Sequence, residues 1–142
     1  MRDIMNNLHT VQLIAPVAAR TDNTAIVSSI IDLRDYDSVM LAINIGTNTD
    51  TDATFAVTLE HGDDSALSDT AAPATTDLVG TLALAGYAFG DDNETRKLGY
   101  IGIKRYLRMT ITPTGNNSGN IFVSALAILG HPGNKPTANP PQ

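Results

Sequence analysis

The chain has 142 residues and a mass of 15.0 kDa, which suits a single domain. Nine Lys and Arg against 15 Asp and Glu give a net charge of −6, which argues against nucleic-acid binding, because phosphate neutralisation needs a basic surplus. The lack of cysteine excludes disulfides, thiolate metal sites and cysteine nucleophiles. No apolar run approaches the ~20 residues that cross a bilayer, so we expect no membrane partner.

Residue preferences point to one fold class. Thirteen of the 15 acids are Asp, and Lys occurs only three times. Asp, Asn, Gly and Thr favour turns and strand ends, whereas helix surfaces favour Glu, Lys and Gln. With no Trp and 5% aromatic residues, the core must consist of Ile, Val, Leu and Ala. We therefore predict an all-β protein.

Apolar and polar residues alternate with a period of two along much of the chain, which predicts about eight strands. The two most regular runs, 38–45 and 54–60, flank a polar turn at 46–52 and predict a β-hairpin. The segment 113–119 predicts a second hairpin turn before the last strand. The predicted strands cover 11–15, 25–33, 38–45, 54–60, 77–84, 95–103, 104–112 and 121–129.

This pattern of short strands separated by turns is typical of an antiparallel β-sandwich or barrel. A short helix is the alternative for 11–20 and for 65–72, although neither has an apolar stripe of period 3.6. The domain is predicted to span 1–130 with a short N-terminal arm. The segment 131–142 holds four of the seven prolines and predicts an extended C-terminal tail that does not pack on its own.

Clusters of acidic residues are the main candidates for chemistry. Acids in turns cap backbone N–H groups, whereas grouped carboxylates can also bind Ca²⁺ or form a glycosidase pair. The sequence contains no calcium-loop motif, no histidine pair at metal-binding spacing and no Gly-x-Ser-x-Gly motif. We therefore predict no enzyme, no catalytic residue and no cofactor. The clusters are Asp50 with Asp52, Asp63 with Asp64, and Asp91 with Asp92.

Charge is distributed unevenly. The segment 35–95 has 12 acids and no Lys or Arg, whereas 96–108 holds five of the nine bases. Strand alternation places Lys104, Tyr106 and Arg108 on one outward face, and Tyr and Arg are enriched at protein interfaces. These three residues are the candidate interface, either to an acidic neighbouring copy or to a separate acidic partner. If they meet an acidic surface, reversal of Arg108 to Glu should leave folding nearly unchanged and weaken association much more. The alternative is a solvated strand face, on which association would not change.

Several segments, in the same order over most of the chain, resemble a known family. The most specific is Gly99-Tyr-Ile-Gly-Ile-Lys-Arg-Tyr-Leu-Arg-Met-Thr110. The others are Met1-Arg-Asp3, the run 39–46 leading to Leu59-Glu-His-Gly-Asp-Asp64, Asp77-Leu-Val-Gly-Thr81, and Gly130-His-Pro-Gly133. On these residues the chain is similar to a family of short virion proteins encoded in the head-gene modules of tailed bacteriophages and prophages.

This resemblance implies a jelly-roll-like β-sandwich without catalytic residues. It implies a capsid decoration (cement) protein that is made in the host cytoplasm and binds the major capsid protein at the capsid surface. The implied assembly is a homo-oligomer, with a trimer favoured. The alternatives are a neck or tail structural protein and a carbohydrate-binding module that attaches phage to the host surface. The lack of Trp counts against a sugar-binding platform.

Overall fold

A computed structural model describes residues 2–141 of the chain; Met1 and Gln142, the ends of the predicted domain and tail, lie outside the described residues. Over this range the chain forms ten β-strands, one short α-helix and three 3-10 turns. The strands are β1 (Leu8–Ile14), β2 (Ile26–Val27), β3 (Ile31–Asp32), β4 (Tyr36–Asn48), β5 (Thr54–Gly62), β6 (Leu78–Val79), β7 (Tyr87–Ala88), β8 (Thr95–Tyr100), β9 (Tyr106–Thr114) and β10 (Ile121–Pro132); the helix α1 is Leu82–Ala85, and the 3-10 turns are Met5–Asn7, Thr75–Asp77 and Phe89–Asp91.

The strands form two antiparallel sheets. The first sheet has the order β1-β10-β4-β8-β6, and the second has the order β2-β9-β5-β7 with β3 also paired to β9. Along the chain, most connections pass from one sheet to the other, and the first strand lies beside the last. This order is that of a jelly roll, so the predicted β-sandwich is confirmed.

Branched aliphatic side chains fill the space between the sheets. On β9, Leu107 and Ile111 are fully buried, and the inward residues of β4 and β10 are buried in the same cluster. Phe55 of β5 stacks on Tyr87 of β7, with ring centroids 4.4 Å apart. The core is therefore mainly aliphatic, as predicted, but it also buries the aromatic Phe55, Tyr87 and Tyr100 and the thioether of Met109, which the prediction from composition omitted. No helix within residues 2–141 has the length and apolar character needed to cross a membrane.

Both predicted hairpins are wrong. The strand β4 pairs with β10 and β8 in the first sheet, whereas β5 pairs with β9 and β7 in the second. The connection after β9 likewise leads across the sandwich to β10. Alternating apolar residues point to the core in a hairpin and in two facing strands alike. Periodicity alone therefore does not distinguish the two arrangements.

Several predicted element bounds also change. The predicted strand 77–84 is limited to β6, because Gly80 has a φ of +93° that ends the strand. The helix α1 follows, and the Thr81 hydroxyl caps it by accepting the Leu84 N–H at 3.1 Å. Neither segment with a helical alternative contains a helix. The predicted strand 25–33 is split into β2 and β3, 95–103 ends with β8 at Tyr100, and the strand predicted at 104–112 is β9.

The C-terminal segment is hydrogen-bonded to the domain, although nearly all of its described residues stay exposed. The last strand continues to Pro132, past the predicted boundary at 130. The Thr137 hydroxyl then donates to the Leu8 carbonyl at 2.6 Å, and the Ser29 hydroxyl donates to the Gln12 carbonyl at 2.9 Å. These bonds cover both ends of β1, an edge strand that would otherwise offer its backbone to other chains. The polar tail can cover this edge because its side chains satisfy hydrogen-bonding groups of the β1 backbone. The pattern of apolar residues in the sequence does not reveal such bonds.

The core assignment of β9 predicts a sharp contrast between neighbouring residues. We expect Ile111→Ala to lower the free energy of unfolding by about 2–5 kcal/mol, because it leaves a cavity in a fully buried site. Thr112→Ala, on the exposed side of the same strand, should change it by less than about 0.5 kcal/mol. Urea unfolding of both variants measures this. Equal effects would contradict the inward register of β9.

Candidate interaction surfaces

The predicted interface residues lie on the outer surface of the second sheet. Tyr106 and Arg108 are half-buried and alternate with the buried Leu107 and Met109, so the predicted orientation of β9 agrees with the structure. Lys104 precedes the strand and lies in the loop 101–105, which joins β8 to β9. The structure therefore brings the three residues to one end of one sheet face.

The cations of this surface are already paired within the chain. Arg108 lies directly opposite Glu60 in the register of β9 and β5, with nitrogen–oxygen distances of 2.7 and 2.8 Å. Lys104 forms an ion pair with Asp63, which lowers the pKa of that carboxyl. The acid-rich segment 35–95 thus supplies partners to the basic segment that follows it. The uneven distribution of charge reflects the pairing of β5 with the start of β9.

A network of hydrogen bonds fixes the loop 101–105. The Tyr100 hydroxyl accepts the Lys104 N–H at 3.2 Å and lies 2.8 Å from His61 Nδ1, to which it is free to donate its proton. This contact joins β8 of the first sheet to β5 of the second. The Arg105 carbonyl accepts the Leu33 N–H at 2.9 Å, which ties the other end of the loop to the strand β3 region. The loop is held at both ends.

Two isoleucines project from this fixed loop. Ile103 is 97% exposed and Ile101 is 64% exposed. A Cβ on Gly102 would lie 2.4 Å from the Tyr100 hydroxyl, so glycine is required for this close approach. Both isoleucines border a cavity of about 290 Å³ that Val39 also lines. The loop therefore presents an apolar projection beside a recess. The alternation of polar and apolar residues in the sequence did not predict this projection.

The acidic turns act as caps on the backbone. Asp50 is 1% exposed, and its Oδ2 accepts the N–H groups of Ser118 at 2.8 Å and Asn117 at 2.9 Å. These bonds, chiefly that of Ser118, lower the pKa of Asp50 to about 2. Asp64 and Asp69 also accept backbone N–H groups in their turn. Among residues 2–141, no three His, Asp or Glu side chains are grouped as metal ligands.

A second exposed surface lies on the outer side of the first sheet. Val79, Phe122 and Leu126 are 58%, 50% and 44% exposed. They lie among outward-facing residues that are small or apolar, and we name the whole group the apolar face. It consists of Met40, Ala42, Val79, Gly99, Phe122, Leu126 and Ile128. The sequence signal for it is the nearly continuous apolar run of the last strand, which was predicted only as a strand.

Comparison with known proteins bears on the fold. No family model matches the chain, and no curated protein matches it. The structure is similar to that of the SPBc2 prophage-derived protein YomS, with a TM-score of 0.52 and 12% identity over 88% of this chain and 94% of that one. It is also similar to VP2 of the infectious bursal disease virus subviral particle, with a TM-score of 0.53 and 15% identity over 91% of this chain and 33% of that one. At these identities the similarity shows a shared β-sandwich fold.

The pairing of Arg108 with Glu60 changes the expected effect of charge reversal. Arg108→Glu places two like charges opposite each other, so we expect it to lower the free energy of unfolding by about 1 kcal/mol. The double variant Glu60→Arg with Arg108→Glu should recover most of this loss. A double-mutant cycle by urea unfolding measures the coupling. Absence of recovery would show that the pair contributes nothing in solution.

Asp50 predicts a defined acid dependence. Because folding lowers its pKa from 3.8 to about 2, its ionised form stabilises the fold above about pH 4, and this contribution disappears as the pH falls through about 2. Asp50→Asn should therefore be less stable at pH 7, with a flatter pH dependence of stability below pH 4. Asp37→Asn, at an exposed position, is the matched control. Parallel curves for the wild type and Asp50→Asn, from unfolding between pH 2 and 7, would contradict this role.

Proposed function

We propose that this chain is a structural protein of a phage particle: a capsid decoration protein that binds the major capsid protein on the head surface and acts as a homo-oligomer. The resemblance to short virion proteins supports this proposal, and so does a fold shared with a prophage-derived protein. On this proposal the chain is made in the host cytoplasm and then joins the virion. It has no catalytic role.

The observation that carries the proposal is the exposed Ile103 on a fixed loop. Burial of an exposed Ile side chain stabilises a complex by about 1.5–3 kcal/mol, and a loop already held in place loses little entropy on binding. Apolar anchors with Tyr and Arg beside them are typical of the residues that dominate binding energy. The loop also lies within 99–110, the most specific segment of the resemblance.

The predicted interface residues surround this anchor with a polar rim. The Arg105 guanidinium lies 4.9 Å above the Tyr106 ring, and Lys104 and Arg108 each have an acidic partner in the chain. A rim whose charges are satisfied adds little desolvation cost on binding. The proposed partner surface is therefore an apolar recess on the capsid, and it need not be acidic.

Binding to heads tests this proposal. The probe is the purified chain, mixed with heads of the phage that encodes it, assembled without it, and co-sedimented. We expect Ile103→Asp to weaken binding about tenfold or more, which corresponds to about 1.4 kcal/mol, with an unchanged melting temperature. Thr112→Asp, on an exposed site further along the same sheet, is the matched control.

Three results would overturn the proposal. The first is a wild-type chain that does not sediment with heads, and the second is an Ile103→Asp variant that binds as well as the wild type. The third is selective binding to purified necks or tails, or to a glycan array, which would favour the neck, tail or carbohydrate-binding alternatives.

A further inference from the structure

The two outer faces of the sandwich differ in charge. The second sheet presents threonines and the Glu60–Arg108 ion pair to solvent. The first sheet presents the apolar face, and in the rows of its strands that pair with 38–46 of β4 the one charged outward side chain is Lys97. Asp37, at the start of β4, is exposed outside these rows. The middle of this sheet face thus holds no acid. Contiguous apolar surface of this kind marks a contact with another protein.

Strand register joins most of this surface into one patch, from which the polar row of Ser124, Asn44 and Thr95 separates Phe122. Leu126 lies beside Ala42, and the next row across the sheet is Ile128, Met40, Gly99 and Val79. The central strand β10 is apolar on both sides between Val123 and Leu129, apart from Ser124. Strands with near-continuous apolar runs are typical of sheets covered on both faces. Within one chain only the inner face is covered, so the pattern indicates a further layer outside the first sheet.

We propose that this layer is a second copy of the same chain, packed apolar face to apolar face about a two-fold axis between β10 and β4. The proposal rests on the homo-oligomer of the proposed function and identifies the surface that forms it. It differs from the trimer that the resemblance implies, because an isologous contact closes as a pair.

The size of the surface fits such an interface. About this axis β1, β10, β4 and β8 of the two copies overlap, whereas β6 lies outside. Four strands at ~4.8 Å spacing, and the eight residue steps from Phe122 to Gly130 at ~3.4 Å each, give about 520 Å² per copy. A specific interface buries at least roughly 1,000 Å² over both partners. One copy of the sheet thus offers enough area for a stable pair.

Charge favours a second copy over another occupant. Each copy has a net charge of −6, so two copies repel one another least where acids are absent. The axis between β10 and β4 places Lys97 of one copy over β1 of the other, where Thr10 and Gln12 face outward. No like charges meet there. A partner selected by charge would instead bind the acidic surfaces elsewhere on the chain.

Association in solution tests the proposal. We expect the wild type to sediment at twice 15.0 kDa. Leu126→Asp should raise the dissociation constant of the pair about tenfold or more, because it puts a charge in each half of a desolvated contact. Met40→Lys, on β4 within the overlap, should do the same and guards against a folding defect specific to Leu126. Thr112→Asp is the matched control on the opposite sheet.

Cross-linking locates the contact. Because the chain has no cysteine, Ala42→Cys introduces a single thiol on β4, close to the proposed axis. A thiol-reactive cross-linker that spans ~10 Å, the spacing of two packed sheets, should join two copies of this variant into a covalent dimer, whereas Thr112→Cys should remain a monomer under denaturing conditions. Cross-linking of Thr112→Cys alone would place the contact on the wrong sheet.

The outcomes separate this proposal from the proposed function. Leu126→Asp monomers that still bind heads support the self-association and leave the capsid role standing. A wild type that is monomeric, or trimeric and unaffected by Leu126→Asp, overturns the self-association. Loss of head binding by Leu126→Asp from a monomeric wild type would show that the capsid covers this face, which overturns the self-association but not the capsid role.

Discussion

The two sheets pack against each other, and each buries one of its faces in the core. This packing determines which residues face outward, and the other properties of the molecule depend on it. The core takes the inward residues of β9, β4 and β10, so the outward residues of the same strands must meet solvent or another protein. On β9 those residues are threonines and the paired Arg108. On β10 they include Leu126 and Ile128, whose apolar side chains are unfavourable in contact with water. One fold thus has a hydrated outer face and an apolar one.

The sequence predicted the fold class because period-2 alternation reports which side of a strand is buried. It could not report which sheet a strand joins, since 38–45 and 54–60 have the same inward pattern whether they are neighbours or face each other across the core. Tyr106 and Arg108, two of the three predicted interface residues, were placed on the correct side of β9, whereas Lys104 lies in the preceding loop. The acidic partners of Lys104 and Arg108 come from β5 and its loop. That pairing follows from strand register, which composition does not encode.

Edges and faces are treated differently in this molecule. The edge of β1 is covered by Thr137 at one end and Ser29 at the other, so pairing of backbone groups with another chain is blocked there. The large exposed apolar side chains of the molecule lie instead on a sheet face and, with Ile103, at the tip of the fixed loop. Contacts made by faces and loops depend on side-chain shape, whereas edge pairing accepts almost any strand. The arrangement therefore favours specific association over open-ended aggregation.

The two apolar surfaces also differ in geometry. The apolar face is a sheet surface with the small residues Ala42 and Gly99 near its middle, so another sheet can pack closely on it. Ile103 projects from a narrow loop beside a recess, so it matches a concave site. A sheet face can meet its own copy about a two-fold axis, while a lone projection needs a partner of complementary shape. Because the loop follows β8 at the end of the first sheet, a pair formed through the apolar face would hold two such projections in fixed relation. Once one Ile103 of such a pair is bound, the second is held close to the surface at a high effective concentration. Weak binding by each Ile103 therefore gives high avidity for a surface with repeating sites.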